Sequence, residues 1–379
     1  MSVPNIQNHA IEVGHLSLEE RAFDELDALV LSQLVYLQLD EFLPQDGRCT
    51  VEEAGAYLRE HVPEETQDFF MKKRYQLFEA CAELPRYAYW ELADYVSEID
   101  REKEMQFAAC TYDLHNGCRV IVFRGTDMSL VGWKEDFNMS YTTVPSQHEA
   151  AEYIHRAARG NGDVLYLCGH SKGGNLAIYA AATTDASTRE RIRRVYSFDA
   201  PGVDEKTLHS HGYELIAERI ESYLPQSSVV GMLLNYHPVY TVVRANTLGV
   251  LQHDPITWQV RGGQFVVLDG VDQTSRITDE TLHTWLAEID LEERRFLVNT
   301  LYRVVASSQA DLLTDLVADW RDSANRMLEA VRDLTQEERK NVKRLLKSLF
   351  ATGANEVVET ILKTLLRRET TDETEESKR

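Results

Sequence analysis

Cysteine is scarce in this chain, and what there is does not pair. Cys49, Cys81, Cys110, Cys118 and Cys168 are odd in number and scattered. No CxxC spacing occurs, so neither a zinc site nor a disulfide framework is indicated. The thiols read as reduced and buried, as in a cytoplasmic protein. Long apolar runs are also missing. Stretches such as "AIYAAA" and "SVVGMLL" are core elements, because a membrane-spanning helix needs about 20 apolar residues. The opening residues, MSVPNIQNHAIEVGHLSLEER, have no basic stretch followed by an apolar run. No signal peptide is expected, and a cytoplasmic location is. Positive charge is in deficit: 40 Lys and Arg stand against 62 Asp and Glu, a formal net charge of -22. Such a surface repels nucleic acid and anionic membranes.

What is present suits a folded protein. Of 379 residues, 43% are apolar and 27% charged, enough for an ordinary core. Residues 18–38 place Phe23, Leu26, Leu29, Val30 and Leu34 at helical spacing behind an acidic start at Glu19 and Glu20. Residues 50–105 read as mainly helical. Near residue 106 the period shortens. Gln106–Tyr112 and Cys118–Phe123 read as strands joined through His115-Asn116-Gly117, a hairpin signal. Strands then alternate with helices, which argues for an α/β fold with a mainly parallel sheet. "TWQVRGGQFVVLDG" reads as a hairpin around Gly262-Gly263. The expected organisation is an N-terminal helical segment (1–104), an α/β core (105–275), a helical region (276–368) and a disordered polar, charged tail (369–379).

Gly169-His170-Ser171-Lys172-Gly173 fits G-x-S-x-G. A serine nucleophile needs a tight strand-to-helix turn that lifts its hydroxyl off the sheet's carboxyl edge. Flanking glycines let the strand and helix pass without a clash. Apolar DVLYLC precedes the motif and NLAIYAAA follows it, the required strand and helix. The helix N-terminus then faces the site and favours negative charge. His170 is expected to pack beside the serine as a structural residue. The Lys172 side chain is expected to be solvated.

"VIVFRGTDMSLVGWKEDF" resembles the oxyanion-loop segment of class 3 lipases: a strand, an Arg-Gly-Ser/Thr turn and a Trp-x-x-Asp. Here these are Arg124, Gly125, Thr126, Trp133 and Asp136. "GHSKGGNLA" and "QHDP" are similar to segments of an uncharacterised bacterial family of lipase-like α/β-hydrolases. The resemblance spans roughly residues 105–270 and implies an α/β-hydrolase fold. It also implies an oxyanion hole made by Thr126 and the Lys172 amide.

In the Ser…Asp…His order of such enzymes, the base is sought among His209, His211, His237, His253 and His283. "VLQHDPITWQV" resembles the family's late segment, which implies His253, with His237 as runner-up. The acid departs from the class 3 pattern. The segment Leu224–Val230 where that family carries its aspartate holds no carboxylate. Asp199, in "YSFDAPG", occupies the position used by lipases of the pancreatic type. Asp254 or a dyad helped by Ser228 are the alternatives. The function implied is hydrolysis of carboxylic esters, small-molecule or lipid, through an acyl-enzyme on Ser171, with no cofactor or metal. The alternatives are an inactive scaffold acting as a binding module, its C-terminal helices docking a protein partner, and an acyltransferase using the same serine. The helices of 50–105 and 276–368 are candidates for a lid.

Overall fold

The structure is a computed structural model that describes residues 3–43, 47–62, 69–126, 130–139, 142–159, 162–228, 230–232, 237–247, 249–272, 288–307 and 320–351. The chain divides into two compact units, Met1–Ser275 and Arg276–Arg379. His283 and the tail at 369–379 lie outside the described residues.

The first unit opens with α1 (Ile6–Val13) and α2 (Glu25–Leu34). The expected helix of 18–38 starts only at Glu25, because the Asp24 carboxylate accepts the amides of Leu26 and Asp27 and caps it there. β1 (Arg48–Thr50), α3 (Val51–His61), α4 (Phe69–Glu83) and α5 (Pro85–Ala88) follow. Residues 91–100 correct the helical expectation: they form β2 (Glu91–Asp100), antiparallel to β3 (Met105–Asp113). Glu, Leu and Ala are good helix formers, but burial of Leu92, Ala93 and Tyr95 along a paired strand outweighs that preference. Asp94, at φ 53°, sits in an irregularity of register between Ala93 and Val96.

β4 (Cys118–Phe123) returns from β3 through the His115-Asn116-Gly117 turn, with positive φ at His115 and Gly117. Then come α6 (Leu130–Asn138), α7 (Pro145–Ala157), β5 (Val164–His170), α8 (Lys172–Thr183), α9 (Ala186–Arg191), β6 (Ile192–Phe198), α10 (Glu205–Leu208) and α11 (His211–Ile216). β7 (Ile220–Pro225) and β8 (Tyr240–Val243) complete the parallel run. β9 (Val260–Arg261) and β10 (Gln264–Phe265) form the hairpin at Gly262-Gly263, and β11 (Val267–Leu268) returns to β8. The nine-stranded sheet runs β1-β2-β3-β4-β5-β6-β7-β8-β11. It is parallel from β4 to β8 and antiparallel outside them.

Alternation along the central strands builds two cores. Val120, Val122, Tyr166 and Cys168 face Leu26, Leu29 and Phe78 of the N-terminal helices. Ile121, Phe123, Leu165 and Leu167 face Ala150, Ile154, Leu176 and Ala177 of α7 and α8. Parallel strands need cover on both faces, and here the N-terminal helices cover one of them together with Ile256, Trp258 and Phe265. This is an α/β-hydrolase fold. The buried Arg86 holds those helices in place. Its Nε donates to Asp27 Oδ1 at 2.9 Å, and its Nη1 donates to the Arg21 carbonyl at 2.9 Å.

In the second unit, α12 (Leu291–Ala306), α13 (Trp320–Asp333) and α14 (Gln336–Ala351) are described. Arg303 of α12 pairs with Glu338 at 2.6 Å, and Arg344 pairs with Glu293. Among the described residues no helix is long and apolar enough to cross a membrane.

Candidate active site

Ser171 stands between β5 and α8 with φ 57° and ψ -132°. A non-glycine residue rarely adopts this conformation, and the turn holds it there from both sides. The Ser171 amide donates to the Phe198 carbonyl at 2.9 Å, and the Gly174 amide donates back to the Ser171 carbonyl at 3.0 Å. A β-carbon at Gly169 would lie 2.2 Å from the Gly173 carbonyl carbon, and one at Gly173 would lie 2.1 Å from the Phe123 carbonyl oxygen. The glycines of the motif therefore allow β5 and α8 to cross in contact. Ser171 is half-buried, and the neighbouring imidazoles are engaged by other groups, His253 Nδ1 by Asp199 and His170 Nε2 by the His253 carbonyl.

The loop after β4 lies against this elbow. A β-carbon at Gly125 would fall 2.5 Å from the His170 carbonyl oxygen and 3.1 Å from Ser171 Cβ. Thr126 follows directly, and its hydroxyl donates to Asp136 Oδ2 of α6 at 2.5 Å. Burial raises the Asp136 carboxyl to about 6, against the opposing pull of Lys172 and Thr126. Lys172 is the first residue of α8, where the amide has no partner within the helix.

The Lys172 side chain corrects the expectation of a solvated lysine: it is 1% exposed. Its Nζ donates to the Gln106 carbonyl at 2.7 Å, to Gln106 Oε1 at 2.7 Å and to Glu135 Oε2 at 3.0 Å. Glu135 also accepts the amides of Gln106 and Ser146. A buried ammonium is tolerable only with such partners. Fully engaged there, it is unavailable to attract anionic substrates.

Asp199 follows β6 and is 1% exposed. Its φ of 45° turns the carboxylate towards the segment after β7. Oδ1 accepts the Ser228 hydroxyl at 2.5 Å and the Gly231 amide at 3.1 Å. Oδ2 lies 2.6 Å from His253 Nδ1. Two fixed donors on one oxygen leave the other aimed at the imidazole. Ser228 belongs to the carboxylate-free Leu224–Val230 segment, so that segment supplies a hydroxyl to an acid coming from the neighbouring strand. It touches the carboxylate, not the imidazole.

His253 ends a short 3-10 turn, Gly249–His253. Gln252 anchors that turn: its Oε1 accepts the Ser227 amide at 2.8 Å, and its carbonyl accepts Trp258 Nε1 at 2.8 Å. With Nδ1 on Asp199, Nε2 is the ring nitrogen that the carboxylate does not hold. The His253 ring centroid is 4.6 Å from that of His170, the residue before Ser171. His170 Nε2 donates to the His253 carbonyl at 2.8 Å, and its Nδ1 is 3.0 Å from the Tyr36 hydroxyl. Burial, then the charges of His253 and Arg74, hold the His170 imidazole well below its usual value.

The other candidates lie elsewhere. Asp254 caps the following 3-10 turn through the Ile256 amide and pairs with Arg74 at 3.5 Å. His237 is buried with Nδ1 on the Tyr213 hydroxyl at 2.9 Å. His211 is exposed beside Glu214, and His209 follows α10 as its C-cap. The Tyr36 contact has no counterpart in the sequence analysis, and Ser228, expected there only as the helper of a dyad, is instead a donor to Asp199. Serine in place of the expected acid was the available signal for Ser228.

Residues 81–303 match the Mbeg1-like family. No curated protein matches the chain in sequence. Solved structures to which the chain is similar include a fungal lipase in an inhibitor complex, at 14% identity over 67% of this chain and 90% of that one, TM-score 0.39. They also include M37 lipase, at 15% identity over 56% of this chain and 70% of that one, TM-score 0.35. The Rhizomucor miehei lipase propeptide complex matches at 15% identity over 60% of this chain and 74% of that one, TM-score 0.33.

Proposed function

The chain belongs to the Mbeg1-like family, and we propose that it is a serine hydrolase cleaving carboxylic esters through an acyl-enzyme on Ser171. The reading is carried by one observation: a buried carboxylate, Asp199, lies 2.6 Å from the imidazole of His253, whose ring is 4.6 Å from that of His170, the residue before the serine on the strained strand-to-helix turn.

Ser171 Oγ attacks the ester carbonyl while His253 Nε2 takes its proton. Asp199 keeps the other imidazole proton on Nδ1 and stabilises the imidazolium. The amides of Thr126 and Lys172 face the oxyanion, a contribution of about 3 kcal/mol per donor in comparable sites. The imidazolium returns its proton to the departing alcohol. Water then attacks the acyl-enzyme with His253 again as base, releasing the acid and restoring Ser171. Small-molecule or lipid esters are the substrate class, and a cytoplasmic setting agrees with the sequence. The likeness of "GHSKGGNLA" and "QHDP" to a bacterial lipase-like family supports the same reading.

The test is hydrolysis of p-nitrophenyl esters of graded chain length. The wild type should turn over at least one of them, and His253→Ala should lose that turnover. Equal activity in both proteins would overturn the reading.

A further inference from the structure

His253 is oriented through two handles. Its side chain is held by Asp199. Its main chain is held by His170, whose Nε2 lies 2.8 Å from the His253 carbonyl oxygen. A carbonyl can only accept, so His170 carries its proton on Nε2. Its Nδ1 is then an acceptor, and the Tyr36 hydroxyl, 3.0 Å away, is the donor that satisfies it. The result is a directed chain: Tyr36 O–H to His170, and His170 N–H to the backbone of His253.

The same face of the N-terminal layer grips the next residue. Arg74 of α4 stacks over the Tyr36 ring at 4.8 Å and pairs with Asp254 at 3.5 Å. The Tyr36 hydroxyl also lies 2.2 Å from where a β-carbon of Gly125 would stand, so it touches the oxyanion-side loop as well. Farther along, Asn5 Nδ2 donates to the Ile256 carbonyl at 2.9 Å, and the Val260 amide donates to the Pro4 carbonyl at 3.0 Å. The segment carrying His253 is therefore laid against N-terminal residues at successive points.

We propose that Tyr36 and His170 are positioning residues for His253, and that through them the N-terminal layer sets the competence of the serine centre. This rests on the hydrolase reading above. His170 is suited to the role because it stays neutral. With its ring 4.6 Å from that of His253, a second cation there would oppose the imidazolium formed during acyl transfer. A neutral, tautomer-fixed imidazole holds the neighbouring backbone without competing for the proton.

The experiment uses the full chain and three proteins: wild type, Tyr36→Phe and Tyr95→Phe. Tyr95 is the control. Its buried hydroxyl accepts the Leu39 amide at 3.2 Å in the same N-terminal segment and donates to the Leu37 carbonyl and Asp40 rather than to His170. Each protein is examined by imidazole nitrogen NMR and by its rate of reaction with a fluorophosphonate. The wild type should show His170 as the Nε2–H tautomer and a downfield proton for His253 Nδ1–H. Tyr36→Phe should broaden or lose that His253 signal and slow labelling by roughly 10- to 100-fold. Tyr95→Phe should change neither, even if its melting temperature falls. An unchanged His253 signal and rate in Tyr36→Phe would overturn the proposal, as would equal losses in Tyr95→Phe. A wild type that does not label refutes the hydrolase reading instead, and the NMR comparison still decides the positioning role.

Discussion

Asp199 and His253 are 54 positions apart in sequence and 2.6 Å apart in the structure. Parallel topology makes this possible. Strand ends β6 and β7 lie side by side, so the acid after one is clamped by Ser228 and Gly231 after the other. The loop after β8 then only has to deliver an imidazole to a carboxylate already fixed.

Asp199→Asn should leave the fold intact and drop kcat for ester hydrolysis by about 10⁴-fold, because an amide can hold the wrong imidazole tautomer. Ser228→Ala removes one of three donors to the carboxylate and should cost far less, about fivefold, since a typical hydrogen bond contributes about 1 kcal/mol net. Steady-state kinetics distinguish the two. Equal losses would mean that Ser228 has a role of its own.

The elbow was legible because its constraint is local: a tight turn demands glycines at fixed offsets around one serine. The pairing of Asp199 with His253 was within reach only through the resemblance of "YSFDAPG" and "VLQHDPITWQV" to lipase segments, which pointed to both residues. The Lys172 side chain was not. Its environment comes from Gln106 and Glu135, 66 and 37 positions away, and nothing near Lys172 announces them. β2 was hidden for the same reason: ELADYVSEID has helix-forming composition, and only its pairing with β3 makes it a strand. The Tyr36–His170 contact, across 134 positions, has no sequence signature at all.

Lys172→Met should destabilise the protein by about 3–5 kcal/mol, because it strands the buried Glu135 carboxylate without its cation. The α8 amide remains in place, so any folded fraction should keep its activity. Urea unfolding measures the first quantity and active-site titration the second. A loss below about 1 kcal/mol would show that the network of Lys172, Glu135 and Gln106 is not a coupled unit.

His9 predicts a pH dependence. It is 1% exposed, and among the described residues neither ring nitrogen has a partner. Burial, reinforced by Arg21, lowers its imidazole from 6.5 to about 4. The unfolded chain therefore binds this proton more readily than the native one. Stability from His9 is complete above pH 6.5 and is lost as pH falls towards 4, by about 3 kcal/mol. His9→Leu should flatten that part of the stability profile, read by urea unfolding between pH 4 and 7. An unchanged slope would place the acid sensitivity elsewhere.

The central claim, that Ser171 is a nucleophile served by His253, is met most directly by labelling with a fluorophosphonate and locating the adduct by mass spectrometry. The account predicts a single adduct on Ser171, absent in Ser171→Ala and formed far more slowly in His253→Ala. No adduct in the wild type, an adduct on another residue, or undiminished labelling of His253→Ala would contradict it.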